Sequence, residues 1–139
     1  IEKGKYLDWL YFWRKLSPEQ INRAIDKGVE IKVLYENQTL TPKNIDHAIE
    51  KGEYLRNLYK HQKLTPENID HAIDKGEELD IVYIRYKLTP KQIDHAIDKG
   101  EYLDVLYNHQ KLTLKQKKRI EKKLGIRKSI KLSKYIINR

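Results

Sequence analysis

Nearly the same 24 residues recur four times in succession, starting at Leu16, Leu40, Leu64 and Leu88, and no other feature constrains the fold as strongly. Each unit reads Leu-Ser/Thr-Pro, then Ile, Ala and Ile at helical spacing, then Lys-Gly and a segment with an invariant Tyr. A period of roughly 20 to 50 residues marks units too small to bury their own apolar face, so each must stack on its neighbours. The expectation is an all-α solenoid of helix-turn-helix repeats. A partial unit occupies 1–15, full units occupy 16–39, 40–63, 64–87 and 88–111, and 112–139 forms a basic C-terminal capping helix and tail. Ile1 to Asp8 align with Ile97 to Asp104, so the chain is expected to open inside a repeat of a longer array.

The local signals of one unit, Leu64 to Lys87, predict two short helices. Thr65 is a preferred N-cap, Pro66 suits the first helical position, and Asn68 stands where a capping box places its polar partner, a box that Ser17 with Gln20 and Thr89 with Gln92 fit better. Leu64 and Ile69 form the expected hydrophobic staple, and Ile69, Ala72 and Ile73 make one apolar stripe at i, i+3 and i+4. Gly76 after Lys75 is the composition of a left-handed C-terminal cap. The second helix is expected over 53–62 and 101–110, with Glu53 or Glu101 at its start and Leu103, Leu106 and Tyr107 as the inward stripe. Helices of about ten residues are marginal alone in water, so stacking must hold them.

Cysteine is absent, which excludes disulfides, a thiol nucleophile and thiolate metal sites. No apolar run approaches the roughly 20 residues of a membrane span, which predicts a soluble protein, cytoplasmic or viral. Charge is unevenly placed. From Lys111 onward there are 12 Lys or Arg against a single acid, Glu121, whereas the preceding 110 residues hold 17 bases and 19 acids. A cluster of cations with amphipathic spacing is the electrostatic footprint of a polyanion site. The candidates are Lys115, Lys117, Lys118, Arg119, Lys122, Lys123, Arg127, Lys128 and Lys131.

The dipeptide Asp-His recurs at Asp46-His47, Asp70-His71 and Asp94-His95, which raises a metal site or an acid–base pair. Neighbouring helical residues diverge by about 100°, and equivalent residues in stacked helices lie roughly 10 Å apart, too far to share one ion. The expectation is a repeated polar, solvated face. Asp70 with Asp74 and Asp94 with Asp98 set like charges at i, i+4, which offers an acidic ridge to a partner, softened by Lys75 and Lys99. The series Tyr11, Tyr35, Tyr59, Tyr83 and Tyr107 reads as core rather than as a ladder for stacking bases. Trp9, Phe12 and Trp13, together with Arg85 and Tyr86 in the most divergent unit, are the candidate protein-partner surface.

The openings Leu40-Thr41-Pro42-Lys43-Asn44-Ile45 and Leu64-Thr65-Pro66-Glu67-Asn68-Ile69 give the unit a resemblance to leucine-rich-repeat-variant and HEAT-like helical repeats, over about residues 1 to 111. The resemblance implies a superhelical stack and no common activity. No nucleophile constellation, phosphate loop or cofactor motif stands out, so the chain is expected to be no enzyme and to need no cofactor or metal. The expected function is a binding or scaffolding module whose basic end holds an anionic partner, nucleic acid first; the alternative is a purely protein-binding or structural array, possibly viral, without a nucleic-acid role.

Overall fold

The computed structural model describes residues 14–125, and among them nine α-helices and no strands occur. They are α1 (Pro18–Lys27), α2 (Ile31–Asn37), α3 (Pro42–Lys51), α4 (Leu55–His61), α5 (Pro66–Lys75), α6 (Leu79–Arg85), α7 (Pro90–Lys99), α8 (Leu103–His109) and α9 (Leu114–Leu124). The fold class is the one expected: all-α, with a longer and a shorter helix in every 24-residue unit. The chain divides into two compact units between Glu77 and Glu78, inside the repeat that departs most from the pattern. In the first unit α1, α3 and α5 pack one on the next and α2 packs on α4; in the second, α6 packs on α8, and α9 on both α7 and α8.

The start of each longer helix is built as its residues predict. Ser17 Oγ accepts from the Gln20 backbone N–H at 3.1 Å while Gln20 Oε1 accepts from the Ser17 N–H at 2.8 Å, a closed capping box. Asn44 and Asn68 close the same box with Thr41 and Thr65 despite their shorter side chains. The inward stripes are buried throughout, with Ile45, Ala48 and Ile49 on α3 and Leu55, Leu58 and Tyr59 on α4 as examples. Ala48, Ala72 and Ala96 have no exposed surface at all, as close helix approach requires.

The shorter helices begin later than expected. Leu55 and Leu103 are their first residues, so Glu53 and Glu101 lie before the first turn. Their N-cap positions, Glu30, Tyr54, Glu78 and Tyr102, are left-handed at φ of 53–55°, two residues after a left-handed glycine such as Gly52. Two such residues reverse the chain within a three-residue link, and that reversal uses up the positions the sequence alone assigned to helix. For a residue with a Cβ this conformation costs roughly 1 kcal/mol.

Amide side chains join one repeat to the next. Gln62, just past the end of α4, accepts from the Leu40 N–H at 3.0 Å and donates to the carbonyls of Tyr35 and Gln38, both at 2.7 Å. Gln110 repeats this in the second unit with Leu88, Tyr83 and Tyr86. The carbonyls served lie at the end of the preceding short helix, where intrahelical partners run out. On the other edge Asn68 Nδ2 reaches the Pro42 carbonyl at 3.1 Å and Asp46 Oδ1 at 2.7 Å, and Gln116 does the same to Pro90 and Asp94. Lys75 Nζ donates to the Glu50 carbonyl at 3.3 Å, so the last-turn lysine caps the preceding long helix rather than only its own.

Two substitutions follow from these links. Gln62→Leu strips a buried N–H and two carbonyls of partners and is expected to cost about 3 kcal/mol in urea unfolding; a loss within 0.5 kcal/mol would contradict the bridging role. Gly52→Ala meets Lys75 Cε at 3.2 Å and Nζ at 3.3 Å in a left-handed conformation, whereas Gly100→Ala meets nothing within 4 Å. Gly100→Ala should therefore cost roughly 1 kcal/mol from backbone strain alone, and Gly52→Ala measurably more.

Candidate polyanion surface on the last helix

Helix α9 keeps the frame of a repeat and changes its chemistry. Thr113 and Gln116 close the capping box and Gly125 ends the helix in the left-handed region. Ile120, where the other long helices carry Ala, is fully buried. At the two isoleucine positions stand Lys117, exposed, and Glu121, only 8% exposed. Glu121 accepts a hydrogen bond from the Tyr107 hydroxyl at 2.7 Å, so the single acid of the C-terminal segment faces inward.

The acid–histidine motif is a solvated face, as expected, with the Asp26, Asp46 and Glu50 carboxylates 61%, 46% and 72% exposed, and its side chains also make contacts between repeats. In the first unit His47 Nε2 lies 2.6 Å from Asp26, and His71 lies 3.1 Å from Asp46 through Nδ1 and 2.6 Å from Glu50 through Nε2. In the second unit Arg119, at the same register position of α9, reaches Asp94 at 3.4 Å and also pairs with Asp98. The acids at i and i+4 are thus bridged by a cation from the following helix, and this removes the like-charge cost expected of Asp94 and Asp98. His71 draws its partners' influence in turn. Burial opposes its protonation, but the hydrogen bonds it donates to Glu50 and Asp46, together with the charge of both carboxylates, outweigh burial and raise its pKa above the usual 6.5. The hydrogen bond to His71 in turn holds the Glu50 carboxyl below its ordinary value.

On α9 the register that carries the acid pair elsewhere is occupied by Lys118 and Lys122. Both are exposed, as are Lys115, Lys117 and Lys123. Arg119 belongs to the packing of α9 on α7, which separates it from the other expected polyanion ligands. Arg127, Lys128 and Lys131, and likewise Trp9, Phe12 and Trp13, lie outside the described residues. In the second unit the Arg85 guanidinium sits 5.5 Å from the centre of the Tyr86 ring, and Ile84 beside them is 57% exposed. The five expected α9 lysines are therefore gathered on one helix, and the Arg85–Tyr86 pair is a separate feature of α6 and its C-cap.

The tyrosine rings are core. Tyr35, Tyr59 and Tyr83 have no exposed surface, which leaves no ring face open to a base. The Tyr35 and Tyr83 hydroxyls are buried without a hydrogen-bond partner. Burial, reinforced by the Glu53 and Glu101 carboxylates respectively, pushes both phenols well above their ordinary value. Among the described residues no group of three or more His, Cys, Asp or Glu is placed to hold a metal ion, and no helix is long and apolar enough to cross a membrane. In comparison with known proteins, no family model matches the chain, and neither a curated protein nor a solved structure matches it.

The contrast among tyrosines is measurable. Tyr107→Phe leaves a buried carboxylate without its donor and is expected to cost about 2 kcal/mol. Tyr35→Phe removes a hydroxyl with no partner and is expected to be neutral or stabilising, within about 1 kcal/mol. Equal losses from both in chemical denaturation would contradict the arrangement of hydroxyls described.

Proposed function

We propose that this chain is a non-catalytic helical-repeat binding module whose last helix engages a polyanion, nucleic acid in particular. The observation that carries the reading is the uncompensated cation surface of α9: Lys115, Lys117, Lys118, Lys122 and Lys123 are exposed while Glu121 is buried against Tyr107. Phosphates attract such a surface without any base-reading element, and the gain comes from release of condensed counterions. A lysine offers a mobile point charge rather than a bidentate fork, so the surface favours backbone contact over sequence readout.

The test is a salt titration of generic duplex DNA and RNA binding to the full chain and to Lys118→Glu/Lys122→Glu. Both residues are exposed, so the variant retains the packing of α9, which a deletion of the helix would destroy by uncovering Tyr107. Each phosphate contact contributes about 0.9 to the slope of log affinity against log salt on duplex DNA, so the double variant should lose affinity and about two units of slope. Absence of binding at low salt, or an unchanged slope in the variant, would remove the proposal.

A second reading, a protein-binding array, is favoured by one observation. Ile84 is exposed where the corresponding residues of the other units are Glu36, Lys60 and Asn108, and it adjoins the Arg85–Tyr86 pair. If the chain ignores nucleic acid at low salt, this face of α6 is the place to look for a protein contact.

A further inference from the structure

We infer that stacking of α5 on α3 in the first unit is proton-dependent, with His71 acting as a clasp that closes when its ring carries a second proton. The argument begins with the inventory of an imidazole. The neutral ring has one N–H donor and one lone pair, whereas the imidazolium donates from both nitrogens. His71 on α5 presents Nδ1 to Asp46 at 3.1 Å and Nε2 to Glu50 at 2.6 Å, both acceptors on α3. Only the doubly protonated ring satisfies both contacts; the neutral ring turns a lone pair toward one carboxylate. His47 on α3 makes a single contact, with Nε2 at 2.6 Å from Asp26 of α1, which a neutral ring carrying its proton on Nε2 already satisfies.

The remaining groups around this clasp do not cancel it. Lys75 approaches the end of α3, donates to the Glu50 carbonyl and favours the ionised Glu50. Asn68 shares Asp46 Oδ1 with His71 and is neutral. Lys51 donates to the Asp26 backbone carbonyl, leaving the Asp26 carboxylate to His47. On the short helices of the same unit His61 lies 4.0 Å from Glu36 and faces neither carboxylate that His71 meets.

The pH window follows from the two directions of shift. A pKa raised in the folded state, as for His71, gives stability that is complete below the ordinary 6.5 and is lost as pH rises through the folded value. The lowered Glu50 gives stability that is present above the ordinary 4.5 and is lost as pH falls through its folded value. The His71 clasp is closed between these limits. Arg119 fills the equivalent position on α9 with a cation that does not titrate, and so the second unit's α7–α9 contact lacks this dependence.

The experiment measures the thermal midpoint of the full chain and of His71→Arg at pH 6 and pH 8.5. Arginine already stands at this register as Arg23 and Arg119, so the repeat accommodates it. The unsubstituted chain should lose about 2–5 °C between the two pH values, and the variant distinctly less. Equal losses in both overturn the inference. Should the variant not fold, the imidazole titration of His71 in the unsubstituted chain by NMR decides: titration above 6.5 supports the clasp, and titration at or below 6.5 overturns it.

Discussion

A helix of seven or ten residues leaves most of its terminal N–H and C=O groups without an intrahelical partner, and satisfying them is the constraint on which this structure depends. Burying the apolar stripes supplies the drive to stack, but stripes alone would tolerate sliding. The fixed register comes from amides and cations that reach exactly one repeat back: Gln62 to Tyr35 and Gln38, Asn68 to Pro42, Lys75 to Glu50. Each unit thus finishes the helix ends of the one before it, and nearest-neighbour coupling of this kind is what makes repeat arrays behave as one-dimensional systems.

Much of this was legible in the residues. Leu-Thr-Pro, the Ile, Ala, Ile spacing and the Lys-Gly ending placed α1, α3, α5 and α7 because each of those residue types has a local conformational meaning that tertiary packing does not override. The late start of the short helices was hidden, since Tyr54 and Tyr102 have no sequence signature of a left-handed conformation. The glutamine bridges were hidden for a different reason. Tyr86 interrupts the series Gln38, Gln62 and Gln110, so the position does not stand out as invariant. The Asp-His pairs stand out as recurrent, but adjacent helical residues diverge, and only stacked coordinates show that His47 and His71 meet the acids of the previous helix.

Helix α9 keeps the frame of a repeat while a few residues reverse the charge at its outward register. Keeping Thr113, Gln116 and Arg119 preserves its seat on α7, while Lys118 and Lys122 replace the acid pair that would receive a following histidine or arginine. Another unit of the same kind would be repelled there, and an anion would be attracted. The basic character of the segment was visible from counting alone; that Glu121 lies buried and that Arg119 is already engaged was not, because both depend on which face of α9 meets α7 and α8.

The partnerless phenols of Tyr35 and Tyr83 have an optical consequence. A phenolate absorbs at longer wavelength than a phenol, and burial holds the ionisation of both rings well above the ordinary phenol range. Parting of the helices around them should therefore bring their contribution to the ultraviolet spectrum into milder alkali, which gives each half of the molecule a built-in gauge of local opening that needs no added label.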